Sequence, residues 1–281
     1  MSGNGRVVLN LNPLLEVYSV TVLFIGMQAA FSIFNCIVKK QVSCWDERNL
    51  RSVIATFLLL CLIVYSVHRF FFGHLILQSL SFTTYSFDEL SLWTVFVVVY
   101  AIGITDYVIS YVAMATKCVV IALPRACLSF ERRGRFFQFI ESLYQLYQFL
   151  IPLPLWISFV SDSTGLYWFI GGVLGSLYVI WKLFETYHKL CKCKAFFKSI
   201  LQHSPYGSRP SYERMQEEQT CPICLDNFSN PVEIPCMHIF CEECVTRWFD
   251  TGKNTCPICM ARVAYSREWR DGSTSNNFPW F

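Results

Sequence analysis

Seven cysteines and one histidine fall between positions 221 and 259, in the order Cys221-x2-Cys224-x11-Cys236-x-His238-x2-Cys241-x2-Cys244-x11-Cys256-x2-Cys259. Thiolates and imidazole nitrogens are soft or borderline donors, and a spacing of one or two residues lets both members of a pair reach one ion about 2.0 to 2.3 Å away. Eight such donors make two tetrahedral sites, so the series predicts two bound zinc ions. Every cysteine of the cluster is then a ligand, and none is left over as a nucleophile or as an acceptor of a transferred group. The metals replace the hydrophobic core that about 40 residues cannot supply, so that metal binding and folding become one event.

The rest of the chain has a different composition. Of 281 residues, 54% are hydrophobic, 17% aromatic and only 15% charged, where about a quarter charged is usual for a soluble domain. Much of the chain must therefore meet lipid. The net charge of +3 is small and is not gathered in one block, and 221–281 contains no basic helix suited to a groove, so nucleic acid is not expected as a partner. The 14 cysteines divide evenly between the zinc cluster and a scattered set from Cys36 to Cys193. A secreted disulfide framework would be short, polar and preceded by a signal peptide, so metal in a reducing cytosol is the better reading. The opening stretch MSGNGRVVLNLNPLLEVY lacks the features of a cleaved signal peptide.

Crossing a hydrocarbon core of about 30 Å takes roughly 20 helical residues. Stretches 16–38, 53–72, 91–115, 139–160 and 166–187 meet that length, and in lipid they must be helices, because every backbone N–H and C=O has to be satisfied within the segment. Lys and Arg gather in short cytosolic loops. The first loop holds Lys39, Lys40, Arg48 and Arg51; the third holds Lys117, Arg125, Arg132, Arg133 and Arg135; the segment after the last span holds Lys189, Lys192, Lys194 and Lys198. The second loop, 73–90, offers only Asp88 and Glu89, and the fourth only Asp162. The alternation fits five spans, with the N-terminus outside the cytosol and the zinc segment inside. A sixth segment from the apolar patch 74–85 or the run 117–124 would move only the N-terminus.

Within the spans Asp106 stands out, since an ionised carboxylate there costs about 2.5 to 3.5 kcal/mol and calls for compensation. A structural hydrogen bond to another span, for example from one of the many Tyr, Ser or Thr residues, is favoured over a polar contact to a client helix or a water-filled path. Glu141, His68 and Arg69 are expected near span ends with their heads among the lipid headgroups. Pro152 and Pro154 should kink or break the fourth helix. After the last span, YHKLCKCKAFFKSIL alternates cationic and apolar residues, as a segment lying along an anionic leaflet would, and QHSPYGSRPSYERMQEEQ reads as a linker.

The ligand order resembles the C3HC4 RING finger, whose fourth ligand is the histidine; the PHD arrangement has it fifth. That resemblance implies interleaved pairs, with Cys221 and Cys224 sharing one zinc with Cys241 and Cys244, and Cys236 and His238 sharing the other with Cys256 and Cys259. It also implies a shallow groove for a ubiquitin-conjugating enzyme, with apolar contacts at Ile223, Trp248 and Pro257, and catalysis by orientation of the thioester-linked ubiquitin. Active RINGs often carry an arginine directly after the last ligand; this chain has Met260 there and Arg262 two residues on, which becomes the candidate ubiquitin contact.

The whole chain, with KCVVIALP, FIESLYQLYQFLIPLPLW, the CPIC and CEEC pairs and the closing REWRDGSTS, resembles the RING finger and transmembrane domain-containing proteins. The expected fold is mainly α: a multi-pass transmembrane helical bundle of five or six spans and a small zinc domain. Its parts are a short segment 1–15, the bundle 16–187, a basic juxtamembrane segment and linker 188–220, the RING 221–263 and a tail 264–281. The resemblance implies a ligase of the endoplasmic reticulum membrane, its RING facing the cytosol, whose partners are a ubiquitin-conjugating enzyme, ubiquitin and membrane or misfolded clients in the lipid bilayer. Two alternatives are a catalytically weak RING scaffold that assembles with another membrane ligase, and a channel or carrier with a zinc tail.

Overall fold

The computed structural model describes residues 13–44, 49–70, 92–124, 128–161, 166–202, 204 and 206–276. The loop 73–90 with Asp88 and Glu89, the patch 74–85, Arg48, Arg125 and Asp162 lie outside the described residues. Six helices make the first part: α1 (Pro13–Ser43), α2 (Leu50–Phe70), α3 (Leu92–Ala122), α4 (Phe130–Leu150), α5 (Pro152–Ser161) and α6 (Leu166–Leu201). The second part holds α7 (Tyr212–Glu217), β1 (Pro231–Glu233), β2 (Ile239–Cys241) and α8 (Glu242–Asp250).

Local chemistry sets several helix ends. A proline opens α1, where its missing N–H costs nothing. The side chain of Asn49 accepts from the N–H groups of Arg51 and Ser52 and so caps α2. Pro152, which lacks an N–H to continue the ladder, separates α4 from α5 at Ile151, the break expected of IPLPLW.

Tyr18–Ser43, Leu50–Arg69 and Val99–Ala122 are each long and apolar enough to cross a membrane. They are not equivalent, since 78% of the third window is buried against 17% and 22% of the other two. Helix α3 is thus the axis: α1, α2 and α4 pack on it, and α6 packs on α4 and α5. Val53, Leu60 and Val67 of α2 recur every seventh residue towards α3, the spacing that keeps one stripe of a helix against its neighbour. Outside this core, α1, α2 and α6 turn large apolar side chains such as Ile25, Leu58, Leu62 and Ile180 outward. In water such a surface would drive association, and in a bilayer it is solvated by acyl chains.

The interior is not wholly apolar, and here two expectations need correcting. Lys117, expected in a loop, lies inside α3, which continues to Ala122, and Glu141, expected among headgroups, lies inside α4; both side chains are fully buried and paired at 2.8 Å. The span ends were misjudged because a charge seen alone in sequence reads as a boundary, while a charge with a partner does not have to be one. Two further contacts continue the same antiparallel seam. The hydroxyls of Ser110 and Tyr144 lie 2.8 Å apart, and Gln148 donates to Asp106, whose other carboxylate oxygen has no hydrogen-bond partner among the described residues. Lys182 of α6 is also fully buried, donating to the Phe149 carbonyl at 2.8 Å beside that residue's ring.

The zinc segment docks on one end of this bundle. Arg135 of α4 donates to the carbonyls of Ser199 and Gln202 at the end of α6 and to Glu242 in the first turn of α8. A cation there neutralises the negative end of one helix dipole while holding an acid at the positive end of another. Gly134 lets the tail come close, because a Cβ there would sit 2.6 Å from the Arg270 guanidinium carbon. Lys39 of α1 and Lys192 of α6 pair with Asp271 and Glu268 of the tail. Cationic residues from each of the sequence-defined basic segments therefore meet the zinc domain or its tail.

Either Lys117→Met or Glu141→Leu alone should destabilise the protein by about 3 to 5 kcal/mol, since each strands a buried charge, and the double variant should cost far less than their sum. Helical circular dichroism during unfolding of the full-length chain in mixed micelles measures both.

Candidate metal centre

The zinc domain is built around two short loops of the same sequence, Cys221-Pro-Ile-Cys224 and Cys256-Pro-Ile-Cys259. Each folds back in the same way: Leu225 N–H donates to the Cys221 carbonyl at 2.8 Å, and Met260 N–H to the Cys256 carbonyl at 3.1 Å. Both turns place the following residue in the left-handed region, Leu225 at φ 62° and Met260 at φ 59°. That conformation costs a side-chain-bearing residue about 1 to 2 kcal/mol, which ligation of two cysteines by one ion can hold in place.

Between the loops, β1 and β2 pair antiparallel with Val232 opposite Phe240, and β2 leads directly into α8. Val245 and Phe249 of α8 close a small core with Cys221, Val232, Ile234, Phe240, Cys256 and Val263. The preceding linker joins it. Tyr206 is buried in that core, and Ser208 exchanges two main-chain hydrogen bonds with Glu233. Gly207 permits this, because a Cβ there would lie 2.3 Å from the Glu233 carbonyl oxygen. On the far side Tyr265 stacks near Phe249 and donates to Asp250 at 2.6 Å, and burial pushes its hydroxyl above the ordinary phenol range.

The eight candidate ligands come together as two groups, Cys221, Cys224, Cys241 and Cys244 in one and Cys236, His238, Cys256 and Cys259 in the other, with the donor atoms of each group within 4.8 Å of one another. This is the interleaved pairing that the RING resemblance implies. The Sγ atoms of Cys224 and Cys241 are 4.0 Å apart, and the Nδ1 of His238 is 3.4 Å from Cys236 Sγ and 3.7 Å from Cys256 Sγ. A tetrahedron of zinc–sulfur bonds of about 2.3 Å and a zinc–nitrogen bond of about 2.0 Å has edges of roughly 3.5 to 3.8 Å, so the donor sets fit zinc in size and in chemistry. Each group can hold one zinc ion, the histidine binding through Nδ1. Backbone N–H groups of Ser229, Cys241 and Ile258 point at ligand sulfurs from 3.2 to 3.4 Å, a second layer that suits thiolates.

The other predicted positions are placed as follows. Ile223 is exposed, Pro257 and Trp248 are half-buried, and Arg262 is exposed. Trp248 packs on the core, donates its indole N–H to the Thr255 carbonyl at 2.9 Å and carries the Lys253 ammonium 4.0 Å above its ring. Met260 is exposed as well, and so are Leu225 and Ile258, which the sequence reading does not single out; the repeated CPIC loop is the available signal, because two equal knuckles must turn out equivalent side chains. Asp106 lies away from the zinc domain, in the seam of α3 and α4.

The protein should carry two zinc ions per chain by atomic emission. Because the pairs interleave along the chain, Cys224→Ala or Cys256→Ala should lose both ions and not one; a variant keeping a full complement would contradict the shared folding. Acidification that protonates the thiolates should release the metal in the same way.

Residues 221–259 match the zinc finger, C3HC4 type (RING finger), family model. Over 258 residues the chain is 32% identical to the human E3 ubiquitin-protein ligase RNFT2, covering 90% of this chain and 57% of that protein. It is 32% identical to the mouse RING finger and transmembrane domain-containing protein 2, covering 89% and 56%, and 30% identical to the human E3 ubiquitin-protein ligase RNFT1, covering 91% and 59%. The chain spans a little over half the length of these relatives, and no solved structure matches it. Aligned through both its helical part and its zinc finger, the chain is similar to the RING finger and transmembrane domain-containing proteins.

Proposed function

We propose that this protein is a membrane-embedded RING-type E3 ubiquitin-protein ligase that binds a ubiquitin-conjugating enzyme and promotes ubiquitin transfer to membrane or misfolded clients in quality control at the endoplasmic reticulum. The observation that carries the reading is the pair of equivalent zinc knuckles turning Ile223 and Ile258 to solvent, with Pro257 and the half-buried Trp248 beside the second knuckle. Exposed apolar tips on a scaffold fixed by ligation make a preorganised docking surface, and a partly exposed tryptophan is a typical anchor. All the cluster cysteines fall within the two candidate ligand groups, so the domain would act by orienting the loaded enzyme and not by accepting ubiquitin.

The bundle would supply the membrane address. Five spans with the RING on the cytosolic side remain the topology favoured by loop charge, supported by the contacts of Lys39, Arg135 and Lys192 with the zinc domain or its tail.

Met260 favours a second reading, a weak RING that serves as a scaffold for another ligase. It stands directly after the last ligand, is 65% exposed and accepts only a long contact from the Thr255 hydroxyl at 3.8 Å. In place of an arginine it offers no charge to ubiquitin or the conjugating enzyme.

Reconstituted full-length chain should discharge ubiquitin from a panel of loaded conjugating enzymes. Ile223→Ala should slow this by about tenfold or more with zinc content unchanged, the loss of one apolar hot spot, and Met260→Arg should accelerate it. With zinc bound, discharge by no enzyme of a broad panel would establish the scaffold reading instead. Protease added to sealed microsomes should remove the RING, and its protection would reverse the proposed orientation.

A further inference from the structure

The tail leaves the zinc domain at Tyr265 and enters the bundle between α1, α3 and α4. There five of its hydrogen bonds run through its main chain and four through its side chains, the Ser275 hydroxyl donating to Glu141 among the latter. Asn35 offers both ends of its amide to Thr274, Oδ1 accepting from the N–H at 2.9 Å and Nδ2 donating to the carbonyl at 3.3 Å. Lys117 donates to the Ser273 carbonyl at 2.6 Å, Glu141 accepts from Ser275 N–H at 2.8 Å, and the Tyr144 hydroxyl reaches the Ser275 carbonyl at 3.4 Å. Main-chain contacts over consecutive residues read the shape of a backbone and not its sequence, as an exposed sheet edge does. The side-chain contacts ask only for small polar groups: Thr274 accepts from Lys117 at 2.8 Å, Ser275 accepts from Gln145 at 2.8 Å, and Asn276 donates to Gln28 at 2.9 Å.

The groove also needs an occupant. A lysine ammonium has three donors, and Lys117 directs one to Glu141 and two to the tail. With the tail gone those two donors and the Glu141 carboxylate would lose partners in a water-poor interior, where an unmet polar group costs several kcal/mol. Of the ion pairs that flank the tail, Lys39–Asp271 and Lys192–Glu268 are about half exposed, and such pairs contribute little.

We propose that the cleft between α1, α3 and α4 is a binding site for a non-helical polypeptide segment rich in hydroxyl and amide groups, which Ser273–Asn276 fills in cis and for which a client segment competes. The description of the competitor as a client rests on the ligase reading; the groove itself does not. A misfolded membrane segment that has lost its helix presents unpaired backbone groups, which is the chemistry that Asn35, Lys117 and Glu141 match.

The test uses a variant ending at Asp271, in neutral-lipid nanodiscs, and a fluorescent capped peptide of sequence RDGSTSN. Anisotropy should show saturable binding to the truncated protein, about tenfold weaker binding to the full-length chain, and a further loss of about tenfold on adding Asn35→Ala to the truncated protein, as expected from two hydrogen bonds. Equal binding to both lengths, or none to a truncated protein that retains its zinc, overturns the proposal. If truncation releases zinc, full-length Asn35→Ala decides the matter. Amide exchange at Thr274 should rise about tenfold with tighter uptake of the peptide than the parent chain shows, and unchanged values overturn the proposal. Ubiquitin discharge to free lysine, measured on the same samples, keeps the two readings apart. Discharge without peptide binding removes the groove and leaves the ligase, and peptide binding without discharge does the reverse.

Discussion

A charge in a medium without water has to be matched where it stands. Lys117 and Glu141 are fully buried partners on α3 and α4, and much of the molecule is arranged by that pairing. It fixes how far one helix is shifted along the other, so that Ser110 meets Tyr144 and Asp106 meets Gln148 further along the same seam. It also leaves donors and acceptors over, and these are met by the tail. Since the tail grows out of the zinc domain, the pair is linked to the position of the RING.

A second keystone lies nearer the surface. Arg135 joins the end of α6 to the start of α8 while belonging to α4, so the helix that reads as a long apolar span with a basic extension also ends against the RING. At 36 residues α6 is about 54 Å long, well beyond a hydrocarbon core of about 30 Å. Tail contacts such as Phe196 with Trp269 run along that extension. The zinc domain is therefore held against the bundle by α4, α6 and the tail. On the proposed ligase reading this would have a kinetic meaning: the distance from a docked conjugating enzyme to the bilayer would be restricted, and orientation of the reacting groups is where such catalysis gains.

Division of labour follows from the two solvents. In the zinc domain the metals supply what a small core cannot, and local loops decide most of the geometry. In the bundle the backbone is satisfied helix by helix, apolar contact gives little preference between protein and lipid, and the specific interactions are polar ones between helices. Sparse polar residues therefore carry a larger share of the information there than their number suggests.

That contrast explains what was legible. The ligand spacing determined the zinc domain and its metal, because donors two residues apart can reach one ion whatever the remainder of the chain does, while the interleaved pairing followed from the resemblance to the RING finger. Length and hydropathy picked out the first three predicted spans, where helices long and apolar enough to cross a membrane stand among the described residues, and Pro152 determined the break after α4. Asp106 could be recognised as needing a hydrogen bond from another span, and only the structure names the partner, Gln148 of α4. Lys117 and Glu141 were misread, although Asp106, Ser110 and Lys117 are spaced by four and seven residues and so share one face of a helix that runs on. Nothing local says that such a helix runs on, or that Asn35 at one end of the chain waits for Thr274 at the other. A metal site is settled by neighbours in sequence, whereas a buried polar contact is settled by whichever distant group arrives with the complementary charge or hydrogen bond, and only the tertiary structure decides that.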